Sequence, residues 1–187
     1  MFGWLATRSS SPCRRAARAV VSRRARRITP RALIDILPGL GSVLYLQAVS
    51  NTAMPTALPP GLLVMQHSFA PLLDVHWLVA ISAVTDDGPR EWCDCVDSLG
   101  RTLARWHLLP DTDYLAWDAL AASCKANADA VFHTQPLRPQ YARVMNFRLR
   151  EFAGLLLLER GASVALSPLG ERIAGRIAQA ESAVLQP

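Results

Sequence analysis

Residues 154–171 read GLLLLERGASVALSPLGE, and the folding of this stretch decides the architecture that the sequence predicts. Leu155–Glu159 is a short apolar run, and Val164–Ser167 is a second one. Between them lies RGAS, in which Gly161 is free to take a positive φ. Two strands joined by a tight turn are the economical reading. Ser167 before Pro168 is a helix cap followed by proline at the first helical position, where the missing N–H costs nothing. The final helix would then carry Leu169, Ile173, Ile177 and Val184 on one side. Upstream, Tyr141, Val144, Met145, Leu149 and Phe152 predict an apolar helical face over 139–153, with Arg143, Asn146, Phe147 and Arg150 opposite.

The order helix, strand, turn, strand, Leu166-Ser167-Pro168-Leu169-Gly170-Glu171, helix resembles the C-terminal half of winged-helix domains, the MarR-like regulators among them. The resemblance covers residues 136–187 of 187. It implies that 139–153 is a recognition helix and that the hairpin is the wing. The partner it implies is DNA, with Arg138, Arg143, Asn146, Arg150 and Arg160 as the contacting residues. Winged helices also dock proteins, and the same arginine face would then meet an acidic protein partner. The wing turn carries only Arg160, a departure from strong minor-groove contact.

Charge divides the chain into three parts. Residues 1–34 hold nine arginines and no acid, the first carboxylate being Asp35. Residues 35–187 then keep 11 basic and 15 acidic groups, a net of −4, although the whole chain is +5. The leader has the composition of a mitochondrial or chloroplast transit peptide. It also fits a disordered basic tail, an extension translated from an upstream start codon, or an amphipathic surface anchor. The location is mitochondrial if it is a transit peptide and cytoplasmic otherwise.

Residues 35–135 read as a helical, acidic region. Gly61–Val84 is long enough to cross a bilayer, but Asp74, His67, His76 and Pro71 make a soluble helix pair the better account. Pro89 after Asp86-Asp87-Gly88 opens a predicted helix over 89–109, whose apolar residues Trp92, Val96, Leu99, Leu103 and Trp106 recur at helical spacing. Pro110 ends it, and Asp111 and Asp113 favour the first turn of another helix running to Phe132. The expected fold class is therefore mainly α: a helical body with a small C-terminal β-hairpin.

No constellation of catalytic groups stands out, and the chain reads as non-enzymatic, without a cofactor. Cys93-Asp94-Cys95 invites a metal, with Cys124 and His133 as further ligands, but a one-residue gap in a helix turns the thiols about 100° apart. His67 and His76 flank Asp74, an arrangement that suits acid–base work, yet no activated nucleophile accompanies them; hydrogen-bonded core histidines fit better. The expected function is a winged-helix-like binding protein, a DNA-binding regulator. The other reading is a mitochondrial accessory subunit of a large protein or ribonucleoprotein assembly, without a membrane span.

Overall fold

Residues 77–96 read WLVAISAVTDDGPREWCDCV. β-Branched and aromatic residues dominate it, and Asp86-Asp87-Gly88 interrupts it, which is the chemistry of a hairpin. The computed structural model, which describes residues 19–48, 59–125, 137–162 and 164–186, has that hairpin. Strand β4 (Trp77–Thr85) pairs antiparallel with β5 (Gly88–Val96), and Gly88 closes the turn at φ +104°. Strand β6 (Thr102–His107) follows after a second turn, in which the Asp97 carboxylate accepts the amides of Leu99 and Arg101 at 2.8 and 2.9 Å. Gly100 turns there at φ +81°.

This meander replaces the helix expected over 89–109. Trp92 and Trp106, counted on one helical face, lie on opposite faces of a sheet. Leu99, the middle of the supposed face, is 75 % exposed at the turn tip. Two strands of period two, joined by a tight turn, reproduced a spacing of three and four by coincidence.

The meander forms part of a seven-stranded mixed sheet, whose other members are β1 (Ala19–Arg27), β2 (Val43–Ala48), β7 (Pro139–Met145) and β10 (Val184–Gln186). The order is β1-β4-β5-β6-β2-β7-β10, and only β7 and β10 run parallel. A second, three-stranded sheet sets β3 (Leu62–Val64) parallel to β9 (Leu155–Arg160), with β8 (Phe147–Phe152) antiparallel on the other side. The helices are α1 (Pro30–Ile36), α2 (Tyr114–Ser123) and α3 (Pro168–Ala180), with 3-10 turns at Leu37–Leu40 and His67–Asp74. The fold is predominantly β, and the expected mainly α class is corrected.

The winged-helix resemblance falls with it. Residues 139–153, the supposed recognition helix, are two strands of different sheets. The hairpin exists one strand earlier than expected. Its turn is Ala153-Gly154, both at positive φ, and it joins β8 to β9. Val164–Leu166 belongs to no strand. The final helix does open on Ser167, whose hydroxyl accepts the Gly170 amide at 3.1 Å, with Pro168 in the first turn.

The transit-peptide expectation is corrected as well. Ala19–Arg27 is a strand in register with β4 from Ala19 opposite Val84 to Arg27 opposite Trp77. Leu33 and Ile34 of α1 are fully buried. The basic stretch thus extends into the sheet and the core. Residues 1–18, and His133 of the metal set considered above, lie outside the described residues. Among the described residues no helix is long and apolar enough to cross a membrane; Gly61–Val84 contributes β3, a 3-10 turn and most of β4.

Alternation along the strands gives the large sheet two apolar faces. One buries Val43, Tyr45, Leu78, Cys93, Ala104 and Trp106 beneath α1, α2, the 3-10 turns and the small sheet. At its centre Tyr45, Phe69, Phe147 and Trp106 meet mostly edge to face, 5.4–6.5 Å apart. The other face packs Leu44, Leu46 and Ala142 against Ala174, Ile177 and Ala178 of α3. Small residues on α3 let the helix lie close to the strands. Its N-terminus is fixed by Asp111, which accepts the Ser167 amide at 2.8 Å and the Ser167 hydroxyl at 3.0 Å.

That contact explains Gly170. A Cβ there would stand 2.0 Å from Asp111 Oδ2, whereas one at Gly175, further along α3, meets nothing within 4 Å. Gly170→Ala is expected to destabilise the protein by about 2 kcal/mol through overpacking and loss of the Asp111 bonds. Gly175→Ala is expected to stabilise it by roughly 0.5–1 kcal/mol. Thermal unfolding of the two variants checks both signs.

Candidate functional site

Chain direction builds a cleft where the two sheets part. β7 ends at Met145 in the large sheet, and β8 begins at Phe147 in the small one. Asn146 is the residue between. Across from it Phe147 pairs with Arg160, and the Gly161 amide donates to the Asn146 carbonyl at 2.8 Å. Residues 161–162 and 164–166 come between β9 and α3, and a cleft of about 500 Å³ opens beside them. Its apolar lining includes Val144, Val164, Leu166, Ala174 and Leu185. Its polar groups are Ser42, Asn146, Arg160, Glu171 and Gln186.

Two of these carry unspent hydrogen-bonding capacity. Asn146 Oδ1 is buried with no hydrogen bond among the described residues, while its Nδ2 reaches the Ala162 carbonyl at 3.4 Å. A buried amide oxygen without a donor costs roughly 1–3 kcal/mol. Arg160 donates its backbone amide to Gln66 Oε1 at 3.3 Å. Among the described residues its guanidinium has no carboxylate within 4.0 Å; the neighbouring Glu159 lies instead toward Arg148 and Arg150, at 3.7 and 3.9 Å. Apolar walls with a few convergent polar groups are the usual make-up of a binding site.

The five residues expected to bind a partner do not share a face. Asn146 and Arg160 come together in the cleft. Arg138 is exposed just before β7. Arg143 donates to Gln186 Oε1 across the β7–β10 pair. Arg150 lies on the β8–β9 hairpin near Glu159. The contiguous basic helix face that DNA binding required does not exist, and that expectation is corrected.

A second polar cluster lies on the α3 face of the sheet, and the sequence reading missed it. Asp94 on β5 and Arg105 on β6 are opposite one another. Arg105 binds Asp94 through two nitrogens at 2.6 and 3.1 Å, and Glu181, at the end of α3, at 2.9 Å. Its guanidinium also stands 5.2 Å above the Trp92 ring. His107 lies beside Glu181 at 3.6 Å and against Trp92. Burial alone would lower the Arg105 pKa; the Asp94 and Glu181 carboxylates overcome it and leave the pKa raised. The guanidinium is thus a permanent buried cation. A cavity of about 40 Å³ adjoins the cluster at Trp92 and His107, with Arg176 at its rim. The clue was present in the sequence: Asp94 and Arg105 each interrupt an apolar alternating run.

The remaining candidates separate. His67 and His76 are exposed, not core, and His76 Nδ1 shares a hydrogen bond with the Asp74 carbonyl at 3.0 Å. Cys93 and Cys95 point to the same face, because they lie on a strand, and are buried with Cys124. Among the described residues no group of three His, Cys, Asp or Glu is placed to hold a metal. No protein-family model matches the chain, and no curated protein matches it.

Two expectations follow from burial. Asp94→Asn leaves the Arg105 charge half-compensated in the interior and is expected to cost about 3–5 kcal/mol. The paired change Asp94→Leu with Arg105→Met should cost much less than the sum of its parts, which urea unfolding of the set resolves. Burial also raises the pKa of Cys93, Cys95 and Cys124. Native protein at pH 8 should therefore leave these three thiols unalkylated by iodoacetamide, and denatured protein should react at all three, as peptide mapping reads.

Proposed function

We propose that this protein acts by binding rather than by catalysis, and that the cleft lined by α3, β7 and residues 162 and 164–166 is its docking site. The occupant is an acidic, partly apolar segment of a protein partner. The observation that carries this reading is the Arg160 guanidinium, which lines a mostly apolar cleft and has no carboxylate within 4.0 Å among the described residues. A carboxylate matches the planar fork of Arg160. Apolar side chains fill the space between Val144, Val164, Leu166 and Leu185. A permanent place in a larger assembly is the same reading with the partner always present.

The test is a titration of ¹⁵N-labelled protein with the peptide acetyl-Glu-Leu-Thr-Val-Ser-Leu-Thr-Glu-amide. Saturable shifts are expected at Asn146, Gly161 and Leu185. Arg160→Glu is expected to weaken binding by about tenfold, or ~1.4 kcal/mol. Ala165→Trp, at an exposed cleft position, is expected to block it. Absence of saturable binding, or an affinity indifferent to both changes, overturns the reading.

A further inference from the structure

Beside the cleft the large sheet ends in a strand that offers a ladder. β10 is three residues long and, among the described residues, is the last strand in its order, paired on one side only, to β7. Alternate backbone groups on its outer side are therefore available to another strand. Natural edge strands are commonly guarded by short length, charge, proline or a covering element, and β10 has the first of these. Here Val184 is 62 % and Leu185 40 % exposed, and Tyr141, opposite Val184 on β7, is 45 % exposed. Leu185 lies on the cleft side of the sheet, Val184 and Tyr141 on the other.

Charge sits at both ends of this edge. Arg138 is exposed immediately before β7. Arg160 and Asn146 lie past the β7 end that Gln186 of β10 approaches. From residue 138 to residue 146 an extended chain covers about 26 Å, at roughly 3.3 Å per residue.

We propose that the partner segment binds by strand addition to β10, as an extended stretch of about eight residues with acidic groups near both ends, one set by Arg160 and the other by Arg138. This rests on the docking reading above and adds the mode of recognition to it. Strand alternation sends one set of side chains over Leu185 into the cleft and the other over Val184 and Tyr141. Affinity comes from the backbone ladder and from apolar contact on both faces. Selectivity comes from the spacing of the two carboxylates, because a segment with one acid reaches only one arginine. A second copy of the protein is a poor occupant, since pairing β10 with itself brings like arginines into play.

The experiment uses the same eight-residue peptide and two versions of it, N-methylated on alternate residues in the two possible sets. N-methylation removes ladder donors on one side of the peptide and leaves the side chains in place. One set is expected to weaken binding by roughly tenfold or more, and the other to bind like the parent. The parent should also slow amide exchange within Val184–Gln186. Replacing the peptide's distal Glu with Gln should lose affinity in wild type but not in Arg138→Ala. If both methylated sets bind like the parent, or both lose binding equally, strand addition is wrong while the cleft reading stands. If the parent does not bind at all, both readings fall together.

Discussion

Helix α3 is pinned at its two ends by charged groups from one short piece of chain, and the second face of the sheet depends on this. Arg105 on β6 holds Glu181 at the C-terminal end, and Asp111, six residues on, holds Ser167 at the N-terminal end. The anion at Asp111 meets the positive end of the helix dipole, so sign and geometry agree. The chain can leave α3 sharply because Ser182 takes a left-handed conformation, and the Ala183 amide returns to the Ala178 carbonyl at 2.9 Å. Only then does β10 lie beside β7. The cleft, which Ala174 of α3 and Leu185 of β10 both line, follows from where α3 is held.

The same loop serves three elements at once. Thr112 donates to the Ser42 carbonyl at 2.6 Å and accepts the Leu109 amide at 2.9 Å. Asp113 caps α2 by accepting the Ala116 amide at 2.9 Å. Residues 108–113 thus tie β6, β2, α2 and α3 together through short polar side chains. Proline at 110 suits a segment whose job is to hold one conformation. The apolar layers supply the gross stabilisation, and these directional bonds choose which packing is used.

Local signals were legible in the sequence, and long-range pairing was not. The Ser167–Pro168 start of α3 was readable because a cap and its helix lie within four residues of each other. Asp113 was readable as belonging to a helix start, whereas Asp111 beside it serves a different helix, 56 residues on. Most of the strands escaped because a sheet covered on both faces loses the simple alternation of apolar and polar residues. Over 139–153 the chain changes sheet at Asn146, and that single break shifted the apparent period towards a helical one. Asn146 and Arg160 were named from sequence for a helix and a wing that do not exist. What joins them is the β8–β9 register, which composition does not encode. Asp94 and Arg105 escaped because a helical reading turned them outward to solvent.

The position of β2 has a kinetic meaning. It lies between β6 and β7, so its neighbours in the sheet are met only about 60 and 100 residues later in the chain. The β4–β5–β6 meander and the β8–β9 hairpin close over turns of a few residues. Loop closure over long separations carries the larger entropic cost before any contact offsets it, and sheets rich in such pairs fold slowly. If β2 docks after the local hairpins form, β6 and β7 each present an unpaired interior edge lined with apolar side chains until it does. The strand that looks most passive in the finished molecule is thus the one whose delay exposes the protein to wrong partners.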